Sequence, residues 1–199
     1  MNAFNLLKAD HRKVAELFQR LERTSGKRKL DVFKQIKEEL DLHAHIEEKI
    51  FYPALEEPSE TSDIVLEAYE EHKQVKTLLR ELGRARNANE EWQAKAKVLQ
   101  ENVEHHVDEE ENQLFKKAGA ALSAEEIEEL GERLEMEKER KQGRSAGRAS
   151  ASKSAARSSG AKKSAPAKKT AKKKSAAKAA KKRSGSKKAA RGRSARASK

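Results

Sequence analysis

The sequence predicts an all-α protein: an antiparallel, up-and-down four-helix bundle with a short fifth helix, followed by a disordered basic tail. Apolar residues recur with the 3.6-residue period of a helix in four long segments of residues 1–140, where Gly and Pro are sparse. Residues 141–199 contain 15 Lys and 7 Arg and no Asp or Glu, whereas residues 1–140 carry a formal charge of −10. We therefore predict a folded acidic domain over 1–140 and a tail over 141–199.

The first two helices are predicted over about residues 5–24 and 29–52, with a turn at Ser25 and Gly26 between them. Pro53 is expected to end the second helix, because proline cannot continue the backbone hydrogen-bond ladder. The apolar stripe of the first helix contains Leu7, His11, Val14, Phe18 and Leu21, and that of the second contains Phe33, Ile36, Leu40, His43, Glu47, Ile50 and Ala54.

The third helix is predicted to begin at an N-cap at Ser62 or Asp63, and the fourth to follow Asn89. A capping-box pattern at Ser123 and Glu126 predicts the fifth helix, which we expect to end near Arg140. The stripe of the third helix contains Val65, Tyr69, His72, Val75, Leu79 and Leu82, and that of the fourth contains Trp92, Ala96, Leu99, Val103, His106, Glu110 and Leu114. Short links between amphipathic helices favour an antiparallel bundle.

The composition excludes several classes of protein. The chain has no cysteine, which rules out disulfides, iron–sulfur ligation and cysteine-type zinc sites. No run approaches the roughly 20 apolar residues that span a bilayer, and the N-terminal residues do not resemble a secretion signal. We therefore expect a cytoplasmic protein.

Ionisable side chains interrupt the predicted apolar stripes. Each long helix places one histidine there, and the second and fourth helices add a glutamate one turn later. The resulting set is His11, His43, Glu47, His72, His106 and Glu110. Residues four apart lie on the same helix face, so each His-x-x-x-Glu pair can approach a common point. The domain is thus predicted to consist of two similar helix hairpins.

Buried carboxylates need compensation, and a pair of metal cations would supply it. Imidazole and carboxylate ligands suit iron or manganese, and inward-facing His and Glu side chains from several helices build the di-metal sites of helical bundles. A closed zinc site needs four ligands, whereas six converge here. The alternative at this point is a buried ionic network without metal.

The motifs resemble those of the hemerythrin-like, or HHE cation-binding, domain family over about residues 3–120. They are Asp10-His11, His43-x-x-x-Glu47 within HIEEKIFYP, Glu71-His72, and His106-x-x-x-Glu110 within HHVDEEENQLF. The resemblance implies a non-haem di-iron centre, with iron preferred over manganese or zinc. By this analogy His11 and His43 bind one iron and His72 and His106 the other. Glu47 and Glu110 would bridge the two ions.

Two features differ from the oxygen-carrying members of that family. Those proteins use a fifth histidine one turn from the third-helix ligand, where this chain has Ala68 and Lys76. They also use an aspartate five residues after the last histidine, where this chain has Glu111. The resemblance therefore implies a protein that responds to iron, oxygen or nitric oxide, or a repair protein, rather than a reversible oxygen carrier.

Three further residues are secondary candidates. His45 is expected on the solvated face of its helix. His105 competes with its neighbour His106 as a ligand, and His106 is preferred because it lies on the stripe that continues to Leu114. Tyr69, one turn before His72, could hydrogen-bond a metal-bound oxygen, with core packing as the favoured alternative.

The tail cannot bury enough apolar area to offset the entropy of ordering, so we expect it to be disordered when free. Its composition resembles the Lys/Ala-rich tails of linker histones. Many cations facing phosphates predict salt-dependent, sequence-independent binding of nucleic acid, with DNA preferred. An anionic membrane surface and a solubilising role are the alternatives. The residues assigned to the phosphate contact are Lys162, Lys163, Lys168, Lys169, Lys172, Lys173, Lys174, Lys181, Lys182, Arg183, Lys187 and Lys188.

Together these features predict a nucleoid-associated di-iron protein that binds oxygen, nitric oxide or peroxide in sensing or stress protection, held on nucleic acid by its tail. One alternative is a di-iron oxidoreductase, either consuming peroxide or repairing iron centres. The other is an architectural nucleoid protein whose metal site is structural.

Overall fold

The computed structural model describes residues 1–56 and 59–158, with the side chains of 1–56 and 60–144. The tail residues from 159 onward, including all those assigned to the phosphate contact, lie outside this part of the chain. The α-helices are α1 (Ala3–Glu22), α2 (Lys27–Ile46), α3 (Ser59–Leu82), α4 (Glu90–Glu109), α5 (Phe115–Ala121) and α6 (Ala124–Ser158).

The predicted all-helical fold is confirmed. Helix α1 packs against α2, and α3 packs against α4, so the long helices form two hairpins. Gly26 turns the chain between α1 and α2 with a φ of 62°, a conformation that favours glycine. Asn89 caps α4 as predicted, because its side-chain oxygen accepts the backbone N–H of Trp92 at 3.0 Å. No helix among the described residues is long and apolar enough to cross a membrane.

Several helix boundaries differ from the prediction. Helix α2 ends at Ile46 rather than near residue 52, because a π turn follows it, and α5 is a separate short helix. Helix α3 begins at Ser59 rather than after Ser62 or Asp63. The hydroxyl of Thr61 donates to the carbonyl of Leu55 at 2.5 Å, which ties the first turn of α3 to the preceding turn. Helix α6 continues past Arg140 to Ser158. The added segment contains no proline and is rich in alanine and basic residues, so its two glycines weaken the helix without ending it.

Both His-x-x-x-Glu motifs end in a π-helical turn. These wider turns span Glu47–Phe51 and Glu110–Leu114. In each, the carbonyl of the motif glutamate accepts the N–H five residues later, from Tyr52 in the first turn and Phe115 in the second. Single π turns inside helices are often found at functional sites.

The interior contains two apolar clusters, and each long helix places its inward histidine between them. On α1, Leu7 belongs to one cluster and Val14 to the other, with His11 between them. On α2, His43 likewise separates Leu40 from Ile46. The ionisable residues therefore form a layer across the middle of the bundle.

Helix α6 packs on α1 and α2. Leu130 and Leu134 are buried in the same cluster as Leu7. The predicted capping box is present: Ser123 N donates to a carboxylate oxygen of Glu126 at 2.8 Å, and Glu126 N donates to the Ser123 hydroxyl at 3.2 Å. This helix is therefore part of the folded domain.

We expect Leu134→Ala to lower the free energy of unfolding by about 2–4 kcal/mol, because Leu134 is fully buried and its truncation leaves a cavity. Urea denaturation followed by circular dichroism measures the change. Met136→Ala, on the exposed face of the same helix, is the control and should change stability by less than about 0.5 kcal/mol. Equal effects of the two variants would contradict the packing of α6.

Candidate metal centre

The structure brings the six predicted side chains together in the buried middle layer. Each is no more than 5% exposed, namely His11, His43, Glu47, His72, His106 and Glu110. The histidines come from four different helices, and the glutamates are the first residues of the two π turns.

Four of these residues form one group of possible ligands. The Nε2 atoms of His11 and His43 lie 3.0 Å apart. Glu47 Oε1 lies 3.0 Å from His43 Nε2, and Glu110 Oε2 lies 3.1 Å from His11 Nε2. All the donor atoms of this group fall within 4.8 Å of one another.

Glu47 also belongs to the second group, with His72 and His106. Its other oxygen, Oε2, lies 3.3 Å from His72 Nε2, and the Nε2 atoms of His72 and His106 are 3.3 Å apart. Glu47 thus faces both histidine pairs, as a bridging carboxylate would. Glu110 is grouped only with the first pair.

The donor set fits metal ions better than hydrogen bonding. The carboxylate oxygens of Glu47 and Glu110 are buried, and imidazole Nε2 atoms lie 3.0 to 3.3 Å from three of them without a well-aligned hydrogen bond among the described residues. When two donor atoms each lie about 2.1 Å from the same ion, octahedral or tetrahedral angles place the two atoms about 3.0–3.4 Å apart. The nitrogen–nitrogen and nitrogen–oxygen distances of 3.0 to 3.3 Å match that separation.

A second ring of carboxylates surrounds the histidines. Each Nδ1 atom faces a carboxylate from another helical segment, an arrangement that orients metal-binding imidazoles. The nitrogen–oxygen distances are 2.7 Å for His11 to Glu111, 3.8 Å for His43 to Asp10, 3.0 Å for His72 to Glu48 and 2.7 Å for His106 to Glu71. None of these carboxylates is among the ligands predicted from the sequence. A signal was available, since each is adjacent in sequence to a predicted ligand.

The charges of the layer shift the pKa values of its members. Burial opposes protonation of His43, but Glu47, Asp10 and Glu110 raise its pKa to about 10. Burial likewise opposes ionisation of Glu47, yet His43 and His72 hold its pKa well below the usual value. For Glu110, burial and the charge of Glu47 act together and raise the pKa. The two glutamates are therefore electrostatically unequal.

A tyrosine that our sequence analysis did not assign to the site lies beside the second histidine pair. Tyr52 is buried, and its hydroxyl lies 3.4 Å from His72 Nε2. Tyr69, the candidate from sequence, instead donates its hydroxyl to Glu56 at 3.1 Å. The residue equivalent to Tyr52 in the other motif is Phe115, whose ring lies parallel to that of His11. The two halves of the centre therefore differ in polarity.

The neighbouring histidines have different surroundings. His45, expected on a solvated face, contacts Glu137 of α6 at 2.7 Å because the long last helix covers that face. The side chain of His105 is 64% exposed and lies 3.7 Å from Glu71 and 3.6 Å from Glu109. His106, rather than His105, faces the buried layer.

A small, mostly apolar cavity adjoins the four histidines. It is lined by the four histidines together with Val14, Leu40, Ala44, Val75, Val103 and Val107. Its free space of about 20 Å³ suffices for one water-sized molecule. A surface cleft between α1 and α4 shares several of the same lining residues, namely His11, Val14, Val103 and Val107.

Comparison with known families gives a match over most of the bundle. The model of the hemerythrin HHE cation-binding domain matches residues 2–118. The crystal structure of a hemerythrin HHE cation-binding domain-containing protein, the Rv2633c homologue from Mycobacterium kansasii, superposes with a TM-score of 0.64 at 27% identity. The superposition covers 72% of this chain and 88% of that one.

Similar sequences occur in bacteria. The uncharacterised protein Rv2633c of Mycobacterium tuberculosis and the uncharacterised protein Mb2666c of Mycobacterium bovis are each 31% identical over 141 residues, which is 67% of this chain and 83% of theirs. A protein of Nostoc sp. named DNA nickase is 30% identical over 150 residues, 75% of this chain. This chain spans only 42% of the length of that relative.

We expect a divalent cation to raise the melting temperature of the metal-free protein, because an ion that binds only the folded state stabilises it. At 100 times the dissociation constant the gain is about 2.7 kcal/mol. Thermal scans with and without Co²⁺ measure it. Glu47→Ala should lose most of the gain, whereas Glu70→Ala, on the exposed surface of α3, should keep it. A gain that survives Glu47→Ala would contradict the site.

Proposed function

Because the chain belongs to the hemerythrin HHE cation-binding family, we propose that its buried centre holds two iron ions that bind a small oxidant. In this assignment His11 and His43 bind one iron and His72 and His106 the other. Glu47 bridges the two, and Glu110 completes the first position. Iron, when bound, supplies the electrons and the exchangeable coordination position that oxygen, nitric oxide or peroxide require.

The observation that carries this proposal is the set of buried glutamate oxygens without well-aligned hydrogen bonds among the described residues, facing the Nε2 atoms of four histidines. A purely ionic network would be expected to satisfy these oxygens with hydrogen bonds, as buried polar groups generally are. Mixed imidazole and carboxylate ligands suit iron. The carboxylates that lie 2.7 to 3.0 Å from Nδ1 of His11, His72 and His106 would orient these imidazoles for that role.

The adjoining cavity favours a small, weakly polar ligand. Its walls beside the histidines are aliphatic, and its size admits one molecule of a few atoms. Tyr52 is not among the residues that line this cavity; its hydroxyl lies 3.4 Å from His72 Nε2, on the side of the other apolar cluster. The size and walls of the cavity support oxygen, nitric oxide or peroxide and disfavour larger substrates.

The basic tail is proposed to hold the protein on nucleic acid. Its charge comes from Lys and Arg without any acidic residue, so phosphate contacts would release many counterions. The name of the Nostoc relative, DNA nickase, gives independent support for a link to DNA. On this proposal the iron pair handles oxidants close to the nucleoid.

We expect two iron ions per chain in the full-length protein loaded anaerobically, by elemental analysis and Mössbauer spectroscopy. His43→Ala should lose at least one of them, because it removes a ligand. His45→Ala removes a histidine two residues away that contacts Glu137 instead, so it should retain both. Equal iron content in the two variants would refute the assigned ligands.

Two experiments on the iron-loaded protein separate ligand binding from catalytic turnover. One is an optical titration with nitric oxide, and the other is an assay of peroxide consumption. A stoichiometric spectral change without sustained peroxide loss supports a sensor, whereas multiple turnovers support the oxidoreductase alternative. Neither response, together with unchanged DNA binding by His43→Ala, would favour an architectural protein.

Removing residues 159–199 should abolish DNA retardation at moderate salt, because it deletes most of the tail cations and leaves α6 intact. Electrophoretic mobility and filter binding across a salt series measure the effect. Binding by the full chain should weaken steeply and log-linearly with salt on any duplex sequence. A full-chain variant with the twelve assigned tail residues changed to Gln is the matched control for length, and retained binding by it would contradict the proposal.

A further inference from the structure

One of the four Nδ1 contacts around the metal centre differs from the others. Three histidines have a carboxylate oxygen 2.7 to 3.0 Å from Nδ1, whereas Asp10 Oδ2 is 3.8 Å from His43 Nδ1. His43 Nδ1 is buried and has no hydrogen-bond partner among the described residues. His43 is therefore the one inward histidine whose outer nitrogen is not held by a carboxylate.

Helix α6 provides the reason. The ammonium group of Lys138 donates to Oδ1 of Asp10, whereas Oδ2 is the oxygen that faces His43, so the two groups share this carboxylate. Both partners are shielded from solvent, with the Lys138 side chain 21% and the Asp10 side chain 9% exposed. Glu137 holds the same turn of α6 in place through His45 and Lys49 of the α2 segment.

The other hairpin serves as an internal control. Glu71 precedes His72 just as Asp10 precedes His11, and it faces His106 as Asp10 faces His43. Helix α6 packs on α1 and α2, and the ion-pair partners of Glu71 in the described chain are histidines. There the carboxylate reaches Nδ1 at 2.7 Å.

We propose that Lys138 is a positioning residue that draws Asp10 away from His43 and so makes His43 a weaker metal ligand than its counterpart His106. A carboxylate that accepts the Nδ1 proton makes an imidazole a stronger ligand, and loss of such a partner typically costs 10- to 100-fold in metal affinity. On this proposal Lys138 keeps the Asp10 carboxylate from accepting the Nδ1 proton of His43. The inference rests on the proposed metal function. It adds that the last helix, α6, sets how strongly His43 binds the ion that it shares with His11.

The test is Lys138→Met in the full chain, which keeps the aliphatic stem and removes the ammonium group. In the metal-free protein, the Nδ1 proton of His43 should move downfield in NMR spectra as Asp10 becomes its acceptor. With Co²⁺ as the probe, the affinity of the site formed by His11 and His43 should rise about tenfold, as measured by chelator competition. Lys138→Arg retains the cation and should behave like the unchanged protein.

Two controls separate this mechanism from simpler ones. Arg133→Met removes a positive charge from an exposed position of the same helix and should leave both readouts unchanged. Asp10→Asn combined with Lys138→Met should cancel the gain, because the effect needs the Asp10 carboxylate. A gain that persists in the double variant reflects long-range charge alone and would overturn the proposal.

An unchanged His43 resonance in Lys138→Met would also overturn it, whether or not metal binds. If the unchanged protein takes up no Co²⁺ while the resonance shifts as expected, the proposed metal function fails and the positioning role of Lys138 stands. Circular dichroism and urea denaturation of each variant show that the fold is retained.

Discussion

Glu47 and Glu110 carry their carboxylates into the middle of a helical bundle, where an uncompensated negative charge is strongly unfavourable. Four histidines from four helices surround them, and a ring of further carboxylates faces the outer nitrogens of those histidines. Carboxylates and imidazoles therefore alternate from the centre of the layer outward. Because each helix contributes to it, the arrangement of the helices and the chemistry of the layer depend on each other.

The centre has an approximate twofold repeat that follows from the two hairpins. Asp10 and Glu71 contact the second histidine of their own hairpins, whereas Glu48 and Glu111 reach across to the other hairpin. Such crossed contacts link the hairpins through hydrogen bonds as well as apolar packing. The two π turns assist, since their wider spacing presents consecutive glutamates to different partners.

Three features break this repeat and give the two halves different properties. Tyr52 brings a hydroxyl to one half, where the other has the Phe115 ring. Glu110 joins one histidine pair, whereas Glu47 faces both. Helix α6 packs on α1 and α2 and places a lysine against Asp10. The small cavity beside the layer is lined by all four histidines, so both halves border the same space.

The helical period and the two spaced His-x-x-x-Glu motifs were enough to predict the all-helical fold and to select the six side chains that meet in the middle layer, because residues four apart share a helix face. The family was also recognisable from those motifs. The outer carboxylates, the role of Tyr52 and the coverage of His45 were decided only by tertiary structure. They depend on contacts between helices far apart in sequence and on π turns and a long last helix that change which side chains meet. Local periodicity contains no information about such contacts, so only the packed bundle determines them.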